Sequence, residues 1–506
     1  MIHSNKSAIT PFLVDIRKGH REQEPPVAIK PWKTVAINRE YGGDWFNIAD
    51  VDGDGEVEVL SAKGRPTGTS TGGTYISSCC VQKLDSSVLW TWGDPSAGRC
   101  EGVDKTFRAH DIDNDGNLEV LVGVKGKMYV LEGKTGEERS SFPLPDELSN
   151  DRMIFADIQG KGYRSDIVVK DAYTQVYACT AEGEKLWHWK GGAGHTTTPV
   201  DIDGDGREEI AAGGADGEAG YDRTDAIVCI NYQGKPVWRI DPYSNAIHNP
   251  FATALVRTFN QQDPFGAEKY INRPYARGRY RYDEDTLYFF TETGHPDHFE
   301  VVHLDPDPAN IRVAATLCTG NGVVYADGLG NILWKRMLSY HCEMVRAANL
   351  RDDLEGKQLV VDYDHIRPFC LEKPLAIFHE NGDLLGHYIT NYARNHQAID
   401  WGNDGQDKIA FGHDHLILDG CGNIVADLEI PADRVPWVVG VGDCTGSGTQ
   451  DVVLSVYSRE ERSENQDHWK RNRELRKQWI YIYTNPDLSA EHQVKPEGLG
   501  CNFTFY

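Results

Sequence analysis

The sequence predicts an all-β protein folded as a single closed β-propeller of about eight blades, and three features of the chain predict it. A short motif, in which an apolar strand leads through an Asp-rich turn into a second apolar strand, recurs along the 506 residues. Most neighbouring copies lie 43 to 61 residues apart, which is the span of a four-stranded blade. The two ends of the chain also carry complementary parts of one blade, so the ring can close.

The motif is clearest in residues 46–60, where Phe-Asn-Ile-Ala leads into the turn at Asp50 and Val-Glu-Val-Leu leads out of it. Two weaker copies, at His303 and Asn349, complete a set of eight. If one weak copy is not a blade, the ring has seven. The turns of the eight copies begin at Asp50, Asp111, Asp157, Asp201, His303, Asn349, Asp400 and Asp443.

The spacing of the copies also predicts an insertion. The interval between Asp201 and His303 is 102 residues, about twice the others, and it indicates an insertion at 243–298. After each copy come two further strand-like segments, and the last often begins with Gly and ends with Trp, as in 234–238 and 330–334. We interpret these segments as outer strands joined by tight turns.

The eighth copy contains only three strand-like segments, near 438–442, 451–457 and 478–484. The segment Lys33–Ile37, at the other terminus, supplies its outer strand. We therefore expect an N-terminal arm at 1–27, the propeller at 28–486 and a C-terminal tail at 487–506. A closed ring is favoured over an open solenoid or a sandwich, because it leaves few strand edges exposed.

Composition limits the partners. The chain carries 52 Lys and Arg against 77 Asp and Glu, a formal charge of −25, so we expect neither nucleic acid nor a membrane as a partner. An anionic substrate then requires a local basic patch. Eleven scattered cysteines, and no apolar stretch of signal-peptide length in 1–27, favour a cytoplasmic protein over a secreted disulfide framework. The protein is secreted if the sequence lacks its leader.

Three turns place carboxylates at alternate positions, with glycines that permit the tight backbone. Such clusters of hard oxygen ligands suit Ca²⁺ better than Zn²⁺, and we expect structural calcium there. In the alternative the carboxylates only cap turn amides, which is the better interpretation at Asp157 and Asp443. The expected calcium ligands are Asp50, Asp52, Asp54 and Glu58; Asp111, Asp113, Asp115 and Glu119; and Asp201, Asp203, Asp205 and Glu209.

The opposite face of the ring is the candidate binding face. Six residues before each turn the sequence is mostly polar, whereas four residues before each turn it is mostly apolar. A polar rim over an apolar layer indicates a site at the mouth of the propeller, although ordinary solvated loop ends would give a similar pattern. The polar position reads Asp44, Lys105, Asp151, His195, Asp297, Glu343, Arg394 and Trp437.

The residue types on this face supply a cation for an anionic group, a base and an acid. His195, Tyr221 and Arg223 are the catalytic candidates. His110 is a further candidate, because the other copies have a small or apolar residue there, but a buried structural histidine is an equal alternative. The Arg/Tyr segment 273–282 is either part of the site or a solvated strand. The expected substrate-binding residues are Lys105, Arg152, Arg277, Arg279, Tyr280, Arg394, His396, His413 and Trp437.

The Asp-x-Asp-Gly-Asp-Gly turn within a blade resembles the FG-GAP repeat of integrin heads and, more closely, the propellers of polysaccharide lyases acting on rhamnogalacturonan or ulvan. The resemblance covers most of residues 40–486 and implies cleavage of a uronate-containing, rhamnose-containing polysaccharide or oligosaccharide by β-elimination. In that reaction a cation neutralises the uronate carboxylate, a base takes the adjacent proton and an acid protonates the leaving oxygen. Some ulvan lyase propellers bind zinc through His and Cys, and the comparable set here is Cys318, His341, Cys342 and His298. In the alternative these cysteines are buried apolar residues.

Two other functions fit the same scaffold. A glycoside hydrolase needs two placed carboxylates, such as Asp44, Asp151 or Glu343. A non-catalytic FG-GAP-like binding module needs no base, and the clustered His, Tyr and Arg residues count against it.

Overall fold

Four antiparallel strands form each blade, and eight blades surround a central axis, which confirms the predicted propeller. Apart from one short 3-10 helix, Pro95–Ala97, the regular structure in the described residues is β-strand, and no helix there could span a bilayer. The computed structural model describes residues 10–66, 74–98, 106–148, 152–171, 174–214, 226–240, 282–283, 286–287, 296–317, 322–336, 342–362, 373–459, 476–488 and 500–502.

The first four blades follow one another without interruption. Blade 1 contains Trp45–Ala49, Glu58–Pro66, Thr74–Gln82 and Val88–Gly93. Blade 2 contains Phe107–His110, Glu119–Val124, Lys127–Glu132 and Glu138–Pro143. Blade 3 contains Arg152–Ala156, Asp166–Lys170, Val176–Cys179 and Lys185–Trp189. Blade 4 contains Thr198–Val200, Glu209–Gly214, Ala226–Ile230 and Pro236–Ile240.

The last four blades follow the insertion, in which Tyr282–Asp283 pairs with Thr286–Leu287. Blade 5 contains Pro296–His303, Arg312–Leu317, Gly322–Asp327 and Ile332–Arg336. Blade 6 contains Val345–Ala348, Gln358–Asp362, Lys373–His379 and Leu384–Thr390. Blade 7 contains His396–Ile399, Lys408–Phe411, Leu416–Leu418 and Ile424–Leu428. Blade 8 contains Arg434–Gly442, Asp451–Ser458, Gln478–Tyr483 and, from the N-terminus, Lys33–Ala36.

The N-terminal strand closes the ring as predicted. Lys33–Ala36 pairs antiparallel with Gln478–Tyr483, and Val35 lies opposite Ile480. Val35 is completely buried in the apolar cluster that joins blades 8, 1 and 2, whereas its neighbour Thr34 is exposed. The strand therefore contributes both hydrogen bonds and core packing to blade 8.

Three further edge strands lie outside the repeat. Phe12–Asp15 pairs in parallel with Leu384–Thr390 of blade 6, and Ala28–Ile29 pairs in parallel with Ile424–Leu428 of blade 7. The N-terminal segment thus covers the outer edges of blades 6, 7 and 8 in turn, which protects them from pairing with other chains. At the inner edge, Gly500–Asn502 pairs with the first strand of blade 1.

An aromatic side chain on the outer strand of one blade packs on a turn glycine of the next. A Cβ on Gly136 would come within 2.6 Å of the Trp90 ring, and one on Gly234 would come within 2.6 Å of Trp187. These glycines have positive φ, so the turn and the contact both require glycine. The pairs are Trp90 with Gly136, Phe142 with Gly183, Trp187 with Gly234, Trp238 with Gly330, and Trp334 with Gly382.

Replacement of Val35 by Asp is expected to open the ring, because it buries an unpaired charge in the closing strand. The loss should be at least about 3 kcal/mol in the free energy of unfolding, measured by urea denaturation. Thr34→Asp, which places the same charge on the exposed face of the same strand, is the control and should change stability by less than about 1 kcal/mol. Equal losses in the two variants would show that Val35 does not hold the ring closed.

Candidate functional site

A cavity of about 430 Å³ lies on the axis of the ring, lined by residues in or beside the first strands of blades 2 to 7. Its charged lining residues are Arg108, Arg152, Arg346 and Glu300, together with the imidazole of His298. Three guanidinium groups therefore face one carboxyl group in a protein that is strongly acidic overall. A cavity of this size and charge suits a small anionic ligand better than a neutral one.

The repeat itself positions these arginines. Arg108, Glu300 and Arg346 each stand three residues before the turn of their blade, so equivalent positions of blades 2, 5 and 6 point to the axis. Arg152 begins the first strand of blade 3. Arg108 and Arg152 are 8% and 7% exposed. Burial strengthens their attraction for an anion, because little water screens the charge.

Glu300 and His298 hold Arg346 in place. The Nη1 atom of Arg346 lies 3.3 Å from Oε2 of Glu300, and burial raises the pKa of that carboxyl. The same Nη1 lies 3.0 Å from Nε2 of His298. Burial, and the nearby Arg346 charge, lower the pKa of His298 well below its usual range, so the imidazole is neutral.

Two ion pairs link neighbouring blades in the polar rim, at the starts of their first strands. Nε2 of His195 in blade 4 lies 3.5 Å from Oδ1 of Asp297 in blade 5, and Arg394 of blade 7 pairs with Glu343 of blade 6. Asp297 and Glu343 are fully buried, and His195 is 7% exposed. An imidazole oriented by a buried carboxylate is a common arrangement for a general base.

Three aromatic rings meet beside this rim at blades 7 and 8. Tyr392 stacks on Trp437 with ring centroids 5.3 Å apart, and His413 meets Trp437 edge-on at 6.1 Å. All three are half-buried. His396 lies deeper: it is fully buried between the carbonyl groups of Ala393 and Val360, and burial lowers its pKa to about 3.

The structure brings some of the expected site residues together. Arg152 lines the axial cavity, while His195 and Arg394 lie in the ion pairs of the rim. His110 lies at the other end of its strand, where Nε2 is 2.6 Å from the Arg164 carbonyl. The expected residues that lie outside the described part of the chain are Lys105, Tyr221, Arg223, Arg277, Arg279, Tyr280, Cys318 and His341.

The remaining expected zinc ligands are both buried. Cys342 packs in the apolar cluster of blades 5 and 6, and Nε2 of His298 faces the Arg346 guanidinium. Sequence reasoning missed Arg108, Glu300 and Arg346. All three stand at the same position of the repeat, three residues before the turn, so an alignment of the eight copies at that position identifies them.

The three acidic turns lie at the opposite end of the first strands. In each turn, three side chains bring one carboxylate oxygen apiece within 4.8 Å of the others. Burial raises the pKa of Glu58 to about 8 and those of Glu119 and Glu209 to about 7. Crowded, desolvated carboxylates of this kind fit a divalent cation. The three groups are Asp50, Asp52 and Glu58; Asp111, Asp113 and Asp115; and Asp201, Asp203 and Glu209.

Two of these turns contain a basic side chain of the protein. Nζ of Lys83 lies 2.8 Å from carboxylate oxygens of both Asp52 and Asp54. In blade 2, the Arg139 guanidinium contacts Asp113 and lies 2.5 Å from Glu119. In the turn at 201–209, the backbone N–H of Arg207 donates to Oδ1 of Asp205 at 2.8 Å, while the guanidinium of Arg207 lies over the Tyr232 ring.

Blade 8 has a turn of different chemistry. Asp451 is fully buried, and its Oδ2 accepts from the backbone N–H of Cys444 and from the Thr445 hydroxyl, at 2.9 and 3.2 Å. Burial raises its pKa to about 7. Folding therefore shifts Asp451 towards its neutral form relative to the unfolded chain.

No protein-family model matches the sequence, and no curated protein matches it. The fold is similar to three solved structures. Rhamnogalacturonan lyase YesW has a TM-score of 0.56 at 16% identity, over 94% of this chain and 76% of that one. The Bacillus licheniformis rhamnogalacturonan lyase has a TM-score of 0.54 at 17% identity, over 93% and 76%. The exotype rhamnogalacturonan lyase YesX has a TM-score of 0.50 at 16% identity, over 91% and 76%. At identities this low, the structural similarity establishes a shared propeller fold and nothing further.

Asp451 is expected to make stability fall as pH rises. A folded-state pKa raised to about 7 gives stability that is complete below pH 4 and is lost as pH rises through 7. Asp451→Asn, which mimics the neutral acid, should gain about 2 kcal/mol over the natural protein between pH 5 and pH 8 in urea unfolding. Asp433→Asn, an exposed change in the same blade, is the control. Parallel pH profiles for the natural protein and Asp451→Asn would contradict a raised pKa.

Proposed function

We propose that the protein is a polysaccharide lyase that cleaves a uronate-containing glycan by β-elimination. The observation that carries the proposal is the axial cavity, where Arg108, Arg152 and Arg346 approach one another in an otherwise acidic molecule. A uronate carboxylate bound there is neutralised by guanidinium groups, which makes the hydrogen on the adjacent carbon more acidic. The proposal is also supported by the fold shared with rhamnogalacturonan lyases, and it includes rhamnose as the neighbouring sugar.

His195 is the proposed base. With Nε2 turned to Asp297, Nδ1 carries the lone pair that accepts the proton from the carbon beside the carboxylate. The electrons of that C–H bond form the new double bond, the bond to the glycosidic oxygen breaks, and the departing oxygen takes a proton. Tyr221 is the proposed proton donor, and Arg223 a further cation for the carboxylate.

Two of the three carboxylates that a hydrolase could use are engaged elsewhere, and the third, Asp151, lies outside the described residues. Asp44 pairs with Arg39 at 2.7 Å, and Glu343 pairs with Arg394. Both acids are fully buried. A general acid or a nucleophile must reach the glycosidic bond, so these contacts favour elimination over hydrolysis.

Incubation with desalted rhamnogalacturonan, ulvan or gum arabic oligosaccharides is expected to produce the ultraviolet absorbance of an unsaturated uronate. His195→Ala should lower the rate about 100-fold or more, because it removes the base. His379→Ala, at the opposite end of blade 6, is the matched control and should keep full activity. New reducing ends without absorbance would establish a hydrolase, and neither signal would favour a binding module.

We also propose that calcium binds with preference to the turn of Asp201, Asp203 and Glu209. The other two acidic turns already hold the positive charge of Lys83 or Arg139, which a metal ion would have to displace. Calcium in the turn at 201–209 would stabilise the junction between the first and second strands of blade 4, far from the proposed chemistry.

Calcium is expected to raise the melting temperature of the natural protein and to titrate as one strong site in calorimetry. At 100 times Kd the gain is about 2.7 kcal/mol. Asp203→Asn should abolish it, whereas Lys83→Met should add a second site by removing the competing ammonium group. Asp305→Asn, in the turn of blade 5, is the control. A calcium response that survives Asp203→Asn would overturn the assignment.

A further inference from the structure

The C-terminal strand Gly500–Asn502 lies inside the ring. It pairs antiparallel with Trp45–Ala49, the first strand of blade 1, along the edge that the second strand of that blade leaves uncovered. The first strand of a propeller blade is the one nearest the axis, so a strand on its far edge stands in the axial channel. The C-terminal strand also lies beside the first strand of blade 8, Arg434–Gly442.

The axial cavity is bordered by the other six blades. Its described lining residues come from the first strands of blades 2 to 7, or from residues beside those strands, and neither blade 1 nor blade 8 contributes to them. Because the ring is closed, these two blades face the same axis as the rest. The space in front of them is where the C-terminal strand lies, so the strand stands between these two blades and the cavity.

The register places the strand at the height of the cavity. Its first residue pairs beside the acidic turn of blade 1, and its last residue, Asn502, lies opposite Asn47. Asn47 stands three residues before its turn, which is the position of Arg108 and Arg346 in their own blades. The strand therefore runs from the turn end of the channel towards the mouth and reaches the height of the cavity arginines.

We propose that the C-terminal strand is the wall of the axial cavity on the side of blades 1 and 8, and that it encloses the ligand there. Without the strand, the cavity would extend to the first strands of these two blades and become a wider channel. A cavity that surrounds its ligand excludes more water and makes more contacts with it. The inference rests on the proposed function for the identity of the ligand, a uronate, but not for the position of the wall.

The strand can be detached by a change in its backbone. Alternate residues of an antiparallel strand donate to the partner strand, so proline at two consecutive positions removes at least one of these donors and restricts the backbone as well. The test variant is therefore Cys501→Pro with Asn502→Pro. The matched control is Cys501→Ala with Asn502→Ala, which keeps every backbone N–H.

Hydrogen exchange tests where the strand lies. The amides of Trp45–Ala49 should exchange about 10-fold faster in the proline variant than in the alanine variant, because those on the axial edge lose their acceptors. Phe107–His110, the innermost described strand of blade 2, should exchange alike in both variants, which shows that the ring stays folded. Equal exchange of Trp45–Ala49 in the two variants would overturn the position of the strand.

The wall itself is tested by access to the cavity, without any ligand. Thr198 lines the cavity, so Thr198→Cys places a thiol there. Its modification by a negatively charged methanethiosulfonate reagent, followed by mass spectrometry of the peptide that contains it, should be about 10-fold faster in the proline background than in the alanine background, because thiol exchange depends on access. Equal rates in the two backgrounds would show that the strand does not close the cavity.

Enclosure of the ligand is tested by calorimetric binding of galacturonate. The proline variant should bind it about 10-fold more weakly than the alanine variant, which corresponds to the loss of about one hydrogen bond. Equal binding would overturn the enclosure, and tighter binding would show that the strand competes with the ligand instead of surrounding it.

The outcomes separate this inference from the lyase. Faster modification of Thr198→Cys in the proline background, without an unsaturated product from any glycan, would keep the wall and reject the lyase. An unsaturated product from the natural protein, with equal modification rates in the two backgrounds, would keep the lyase and reject the wall.

Discussion

The ring depends on the contact between an outer-strand aromatic side chain and the turn glycine of the next blade. A blade of four strands cannot bury both of its faces alone, so each blade needs a neighbour on either side. At Trp187 and Gly234, for example, a Cβ on the glycine would come within 2.6 Å of the Trp187 side chain, and the turn has φ of +75°. The same kind of pair recurs at five successive junctions, with Trp in four of them and Phe in one, which explains why the sequence often repeats Gly and Trp near the end of a copy. Closure by Lys33–Ala36 then leaves no blade without a partner.

Closure of the ring also fixes the positions of the side chains that line the axial cavity. Six first strands that are fixed against one another place Arg108, Arg152 and Arg346 around one cavity, although they come from distant parts of the sequence. Each guanidinium is held by a strand, and Arg346 is held further by Glu300 and His298. Sites on rigid strands keep their geometry without a ligand, which lowers the entropic cost of binding.

The repeat could be predicted from the sequence because it is periodic, and the eight blades and the closing strand follow from the period. The edge strands could not be predicted, because strands of only four and two residues carry no periodic pattern. These are Phe12–Asp15 and Ala28–Ile29. The arginines of the cavity were missed for another reason. Arg108 and Arg346 stand three residues before the turn. Because side chains alternate along a strand, the positions six and four residues before the turn point to the opposite face of the strand and do not reveal these arginines. Lys83 reaches its turn from another hairpin, and sequence spacing does not reveal that contact.

The turns of five blades meet one requirement by different chemistry. The backbone N–H that follows the first turn residue needs a buried acceptor, and it bonds to Glu58, Glu119 and Glu209 at 3.0 to 3.1 Å in blades 1, 2 and 4. Gln358 accepts the same bond in blade 6 at 2.8 Å, and Asp451 accepts it in blade 8 at 2.9 Å. A neutral amide or a protonated acid needs no counter-ion, whereas an ionised glutamate does. Lys83 and Arg139 supply a positive charge within the chain in blades 1 and 2, and the proposed calcium ion would supply it in blade 4.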